Sequence, residues 1–187
     1  MGIKIKKSEK MKKKFKKTER QKLLKMEIFL LKMILLAIPL FAIAEFGMPP
    51  LSVLLQPVQN FLAWATYSLL TAARFQVAWN SVYIVMRSGA ELFTVEISAD
   101  CTAWKSLYAL AALVLATPIS NLAGKAKFLA VWMPVVFVVN FARIASTVLV
   151  GLLFGFRYLE VVHTVLWREG LIALIIIIWY LWFRGKI

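Results

Sequence analysis

Apolar and polar positions are segregated along this chain in blocks long enough to read as separate elements. Residues 1–25 are dominated by lysine. Ile28 to Ala44 is apolar except for Lys32 and ends at Ala42-Ile43-Ala44-Glu45. A basic start and an A-x-A ending also fit a signal peptide. The length of the charged region favours an uncleaved first span with its amino end inside. Met48-Pro49-Pro50 breaks that helix, because proline lacks the amide donor and restricts the residue before it. From Leu51 to Ala73, Leu54, Leu55, Val58, Leu62 and Ala65 fit helical spacing, with polar groups opposite. That pattern predicts an amphipathic helix lying along the outer surface, not a crossing.

Residues 74–98 change period. Val77, Trp79, Ser81, Tyr83 and Val85 alternate with Ala78, Asn80, Val82, Ile84 and Met86. Arg87-Ser88-Gly89-Ala90 carries turn chemistry, and Leu92 to Ile97 is a second β-rich run. The reading is a small β-hairpin at the extracellular face, since bare sheet edges are not tolerated in lipid. Cys101 to Ser120 then reads as a span, and Asn121 to Lys127 as a short loop with two lysines. Phe128 starts another apolar helix containing Pro134, Asn140 and Arg143. Leu171 to Phe183 is the last span, closed by Arg184 and Lys186. The fold class expected is an all-α polytopic membrane protein. It has about four transmembrane helices, an outer interfacial helix and the hairpin. Residues 1–25 form a basic cytoplasmic tail and 26–187 a single membrane domain.

Composition sharpens this reading. The 187 residues are 61% hydrophobic and 17% charged, more apolar and less charged than soluble domains of this size. Twelve Lys/Arg and two Glu in residues 1–25 give a net of +10 out of the chain's +14. The tail has only Phe15 for an aromatic and no folded reader beside it, so nucleic acid is not expected as a partner. A juxtamembrane basic cluster instead marks the cytoplasmic side and attracts anionic lipid headgroups. With 51–73 outside, Lys125, Lys127, Arg184 and Lys186 fall inside with both termini, and Cys101, Arg143 and His163 fall near the outer face.

Candidate chemistry is sparse. Cys101 is the single cysteine and His163 the single histidine. One thiol excludes an intramolecular disulfide and zinc sites with several thiolates, so no metal or cofactor is expected. Cys101 is placed at the start of a helix, with Asp100 or Ser98 as N-cap. Its ordinary reading is a small buried hydrophobe. Arg143 shares a helix face with Asn140 and Ser146. An intramembrane arginine is costly and usually has a partner or a function, unless it snorkels to the interface. His163 suits proton transfer near neutral pH, though interfacial histidines are common. Together these are the parts of a cysteine acyl-transfer site. A non-catalytic membrane scaffold and a small transporter subunit remain as alternatives.

At these residues the chain resembles the exosortase/archaeosortase family of membrane transpeptidases. The likeness rests on Cys101-Thr102-Ala103 at the start of a span, Asn140-x-x-Arg143 on a helix, a histidine before the last span and the extended segment Val77 to Ile97. It covers roughly residues 50–187. Ala103-Trp104 stands where the family commonly has a glycine and a small apolar residue. The resemblance implies an enzyme that cleaves the carboxy-terminal sorting signals of exported proteins and transfers those proteins to a lipid acceptor. Cys101 would be the nucleophile, His163 the proton-transfer group and Arg143 the stabiliser of thiolate or oxyanion. Asn140 and Asp100 would support them. Sequence alone does not indicate the oligomeric state.

Overall fold

The computed structural model describes residues 2–46, 49–88, 91–163 and 168–185. Helix α1, Gly2–Phe46, joins the basic tail to the apolar stretch without a break. Pro39 lies inside it and removes one ladder donor. One turn back, the Leu36 carbonyl accepts a hydrogen bond from the Tyr108 hydroxyl at 2.6 Å, tying α1 to the helix that follows Cys101. Leu30, Leu31, Ile34 and Leu35 are each more than half exposed. A continuous apolar face of this kind suits lipid, not water.

Helix α2, Pro49–Ala72, occupies the stretch expected to be amphipathic. Its buried face shares Leu62 with the one the apolar spacing indicated but is rotated from it towards Gln59. Leu62, Ala63, Leu70, Gln59 and Thr66 are buried, whereas Leu54 is 74% exposed. The reason is a polar anchor: Gln59 Nε2 donates to the Ile97 carbonyl at 2.9 Å. That bond turns the Gln59 side of the helix inward.

The expected hairpin is a three-stranded antiparallel sheet in the order β1-β2-β3. Strand β1 is Val77–Asn80, β2 is Tyr83–Ser88 and β3 is Glu91–Glu96. The first alternating run folds back on itself at Ser81, which takes φ 56, so that Asn80 faces Tyr83. In the second pair Tyr83 faces Glu96 and Ser88 faces Glu91. Gly89 and Ala90 of the anticipated turn lie outside the described residues.

After β3 the chain makes a short 3-10 turn, Ala99–Thr102, before helix α3, Trp104–Ala116. Cys101 is therefore not in the first turn of an α-helix, as expected, but one step before it. Ala103 separates the two elements with φ 61. That left-handed region favours glycine, and a β-carbon there costs of order 1–2 kcal/mol. At 13 residues α3 is also shorter than the span expected from Cys101 to Ser120. Its rise of roughly 20 Å falls short of a ~30 Å hydrocarbon core.

Helix α4 runs from Leu122 to Phe154, 33 residues. It absorbs most of the anticipated Asn121–Lys127 loop. Asn121 caps it, its side-chain oxygen accepting from the Gly124 amide at 2.9 Å. Lys125 is buried and donates to the Leu115 carbonyl at 2.8 Å, closing the open end of α3. Gly155, at φ 93, ends α4, and the short α5, Phe156–Val161, leads to His163. Helix α6, Arg168–Arg184, completes the described fold. Among the described residues α4 alone is long and apolar enough to cross a membrane, with α3 and the Gly170–Arg184 stretch as shorter apolar helices.

Two cores result. Leu110 and Val114 of α3, Val136 of α4 and Ile175, Ile178 and Trp182 of α6 form a helical bundle core. Leu62, Ala63 and Leu70 of α2, Ile84 and Met86 of β2, Ile97, Cys101, and Ile144, Val148 and Leu152 of α4 form the second. Helix α4 is common to both, and the lone cysteine belongs to the second.

Candidate active site

Cys101 is held by its backbone and approached by its neighbours. Its amide donates to the Ser98 carbonyl at 2.9 Å, closing the 3-10 turn. Its own carbonyl accepts from Asn140 Nδ2 at 2.6 Å, a bond between the turn and α4 that fixes the thiol over the helix. Ser98 caps nothing through its side chain. Its hydroxyl instead lies 3.5 Å from Cys101 Sγ, within reach for a weak hydrogen bond. The residue is 9% exposed, so the thiol sits at the edge of the core and not deep within it.

Arg143 lies one turn beyond Asn140 on α4. It is 7% exposed and lines the same cavities as Cys101, with the Asp100 carboxylate also near. Ser146 Oγ and Thr147 Oγ1 both donate to the Arg143 carbonyl, at 2.9 and 2.8 Å. They brace the helix where the arginine leaves it. Arg143 Nε and Asn140 Oδ1 are buried with no hydrogen-bond partner. Buried polar atoms are almost always satisfied, so two such orphans beside one thiol mark places where a ligand would be welcome.

Asp100, expected as a cap or orienter, caps neither the 3-10 turn nor α3. It makes an ion pair with Lys105 at 2.8 Å, with the two side chains 66% and 45% exposed. A pair so open contributes little stability. Its effect is local: Lys105 offsets the negative charge beside the thiol. Lys105 carried no sequence signal, because a lysine at a helix start looks like any surface charge.

His163 follows α5 and faces the same space. A cavity of about 380 Å³ is lined by Cys101, Arg143, His163, Asp100, Lys105 and Ser106, with Leu171 and Ile172 of α6 closing one side. A second, of about 170 Å³, lies towards the sheet and is lined by Val95, Ile97, Ile144, Thr147, Val148 and Leu159. Ser98, Cys101, Arg143 and His163 line both. His163 keeps an exposed edge, yet loss of water around the ring holds its imidazole below the ordinary 6.5, and the Arg143 charge lowers it further. At neutral pH the ring is therefore uncharged and able to accept a proton. Three groups from separate elements thus meet at one place, as the sequence suggested. Among the described residues no group of three His, Cys, Asp or Glu side chains could hold a metal ion.

The chain matches the family model described as transmembrane exosortase (Exosortase_EpsH) over residues 23–183. It belongs to the transmembrane exosortase family. Proteins of this family reside in membranes and are generally cysteine transpeptidases. The matched region of this exosortase runs from the last turns of the basic segment to the end of α6 and includes Cys101, Arg143 and His163. No curated protein and no solved structure matches the chain.

Proposed function

We propose that this exosortase is a cysteine transpeptidase of the cell membrane. It cleaves carboxy-terminal sorting signals of exported proteins and passes them to a lipid acceptor. The observation that carries the reading is the convergence of Cys101, Arg143 and His163 on two adjoining cavities that share the thiol. Two cavities suit a reaction with two successive substrates, a peptide and an acceptor.

The steps follow from the side chains. Neutral His163 takes the proton of the Cys101 thiol, and the resulting thiolate, beside the Arg143 guanidinium, attacks the carbonyl carbon of the scissile peptide bond. The carbonyl electrons move to oxygen, and Arg143 stabilises that oxyanion with donors already in place. The intermediate collapses, the C–N bond breaks, and the departing amine takes a proton from His163. A thioester joins the substrate to Cys101. The acceptor's amine or hydroxyl then gives its proton to neutral His163 and attacks the thioester, and the thiolate leaves. Asn140 keeps Cys101 in register through its backbone carbonyl, and Asp100 acts through Lys105. In this reading about four segments cross the bilayer, both termini are cytoplasmic and the site faces outside.

Cys101→Ser is expected to abolish processing of a reporter carrying a matching sorting tail, because a serine hydroxyl without a strong base is a far poorer nucleophile. Wild-type protein should yield a reporter–enzyme adduct that hydroxylamine releases. Retained processing by the serine variant would remove Cys101 as nucleophile. Sidedness has its own test. In a Cys101→Ala background, a cysteine at Ser88 should react with an impermeant maleimide from outside, and one at Asn121 should not. The opposite pattern would place the thiol in the cytoplasm and end the case for exported substrates.

A further inference from the structure

A cavity far from the thiol has a different character. It measures about 620 Å³ and lies where α1, the α3–α4 connection and the end of α6 meet. Its wall is aromatic and aliphatic: Phe29, Trp179, Phe183, Met26, Pro118 and Ile119. The wall is well braced. Trp179 stacks on Phe29 at 6.3 Å between ring centroids, and Trp179 packs on Phe183 at 5.5 Å. Trp179 Nε1 donates to Thr117 Oγ1 at 2.9 Å, and that hydroxyl donates to the Leu113 carbonyl at 2.6 Å. The tryptophan's one polar atom is thereby satisfied by Thr117, which also lines the cavity, so no unpaired indole N–H meets an apolar guest.

Lys22 and Lys25 line the same cavity. They are one helical turn apart on α1, so their ammonium groups stand on one side of the helix. Among the described residues neither forms an ion pair, and no acidic side chain lines the cavity. They occupy the junction at which the lysine-rich start of α1 gives way to its apolar stretch, the level of lipid headgroups. An apolar chamber capped by two unpaired cations matches a ligand with a hydrocarbon part and a negative head. A free phosphate would use the lysines and leave the aromatic wall exposed. A neutral lipid would use the wall and leave the lysines without a partner.

We infer that this cavity is a binding site for one anionic phospholipid, its phosphate held by Lys22 and Lys25 and its acyl chain against Trp179, Phe29 and Phe183. The lipid fills the wedge between α1 and α6 and couples the first helix to the bundle. The site does not depend on the catalytic reading. It is a discrete site and not the diffuse attraction that any basic tail exerts.

Native mass spectrometry of the full-length protein, released from detergent with equal amounts of dioleoylphosphatidylglycerol and dioleoylphosphatidylcholine, tests it. Wild type should retain one phosphatidylglycerol in preference to phosphatidylcholine, by roughly 10- to 30-fold for two lysines at a membrane surface. Lys22→Gln/Lys25→Gln should bring the preference close to unity. Lys13→Gln/Lys14→Gln removes the same charge from the tail and should leave the preference intact. Ile119→Trp, which fills the cavity and keeps both lysines, should lose the bound lipid. An excess of inorganic phosphate should not displace it. Equal retention of the two lipids by wild type would overturn the site. So would an equal loss in both lysine pairs, because the attraction would then be diffuse, and so would full displacement by phosphate.

Discussion

The two cores of this protein are built to different standards. In the bundle of α3, the first half of α4 and α6, the buried polar groups Thr117 and Lys125 both have partners. In the region joining α2, the sheet and the second half of α4, Gln59, Thr66, Thr102, Asn140, Arg143 and Thr147 are all buried. All three of the orphaned buried polar atoms among the described residues, on Thr66, Asn140 and Arg143, belong to that region. An unsatisfied buried polar atom costs of order 1–3 kcal/mol. The bundle carries no such cost and the thiol-bearing core carries several. A single helix, α4, passes from one regime to the other within its length. On the proposed function, the bundle is scaffold and the second core keeps polar capacity in reserve for its substrates.

The sharpest way to break that contrast is to damage each core and ask which property fails. In the thiol-bearing core, Arg143→Lys keeps the charge and loses the planar fork that can hold two oxygens at once. His163→Ala removes the proton carrier. Processing of the reporter tail should fall by roughly 10²–10⁴-fold for His163→Ala, and Arg143→Lys should lose most activity. Thermal melting of His163→Ala should stay close to wild type, because the residue is exposed. Near-normal turnover in both variants would favour a scaffold over an enzyme.

A smaller effect of the opposite kind is expected in the bundle. Leu110 is fully buried there, against Val114, Val136 and α6. Leu110→Ala should cost roughly 2 kcal/mol, at the low end for such truncations, because lipid is as apolar as the protein and mainly packing is lost. The fraction that remains folded should turn over reporter at the wild-type rate. A loss of turnover by the folded protein comparable to that of His163→Ala would show that the two cores are one mechanical unit.

The site was more legible in the sequence than the fold around it. Cys101, Arg143 and His163 stand out because thiols, guanidinium groups and imidazoles are scarce in such apolar surroundings, and an apolar background makes a single ionisable residue informative. What remained hidden was local geometry carried by residues without the usual signal. Ser81 turns β1 into β2 at φ 56 without an Asn-Gly or Gly pair, so two strands read as one. Ala103 takes a glycine conformation without being glycine, so the 3-10 turn and α3 read as one helix. Asn121 caps α4 in a stretch whose glycine and lysines resemble a loop. Helix α2 buries Gln59 because its partner is a carbonyl beyond the sheet, which no periodicity within α2 can reveal.

The finest test of the contrast is a titration. His163 is the only histidine, so its ring gives a single set of resonances in the full-length protein. It lies between α5 and α6, outside the helix long enough to span a membrane. Partial burial and then the Arg143 charge both disfavour its protonated form. Its midpoint should therefore fall below 6.5, and the ring should stay neutral as pH drops to values at which a free imidazole is already half charged. In Arg143→Gln the second cause is removed and the first remains, so the midpoint should rise yet stay below 6.5. Linkage gives the matching sign in stability: the unfolded chain takes up this proton first, so the histidine's contribution is full above pH 6.5 and declines below it. A wild-type midpoint at or above 6.5, or one that does not move in Arg143→Gln, would mean that the imidazole and the guanidinium do not share one enclosed space.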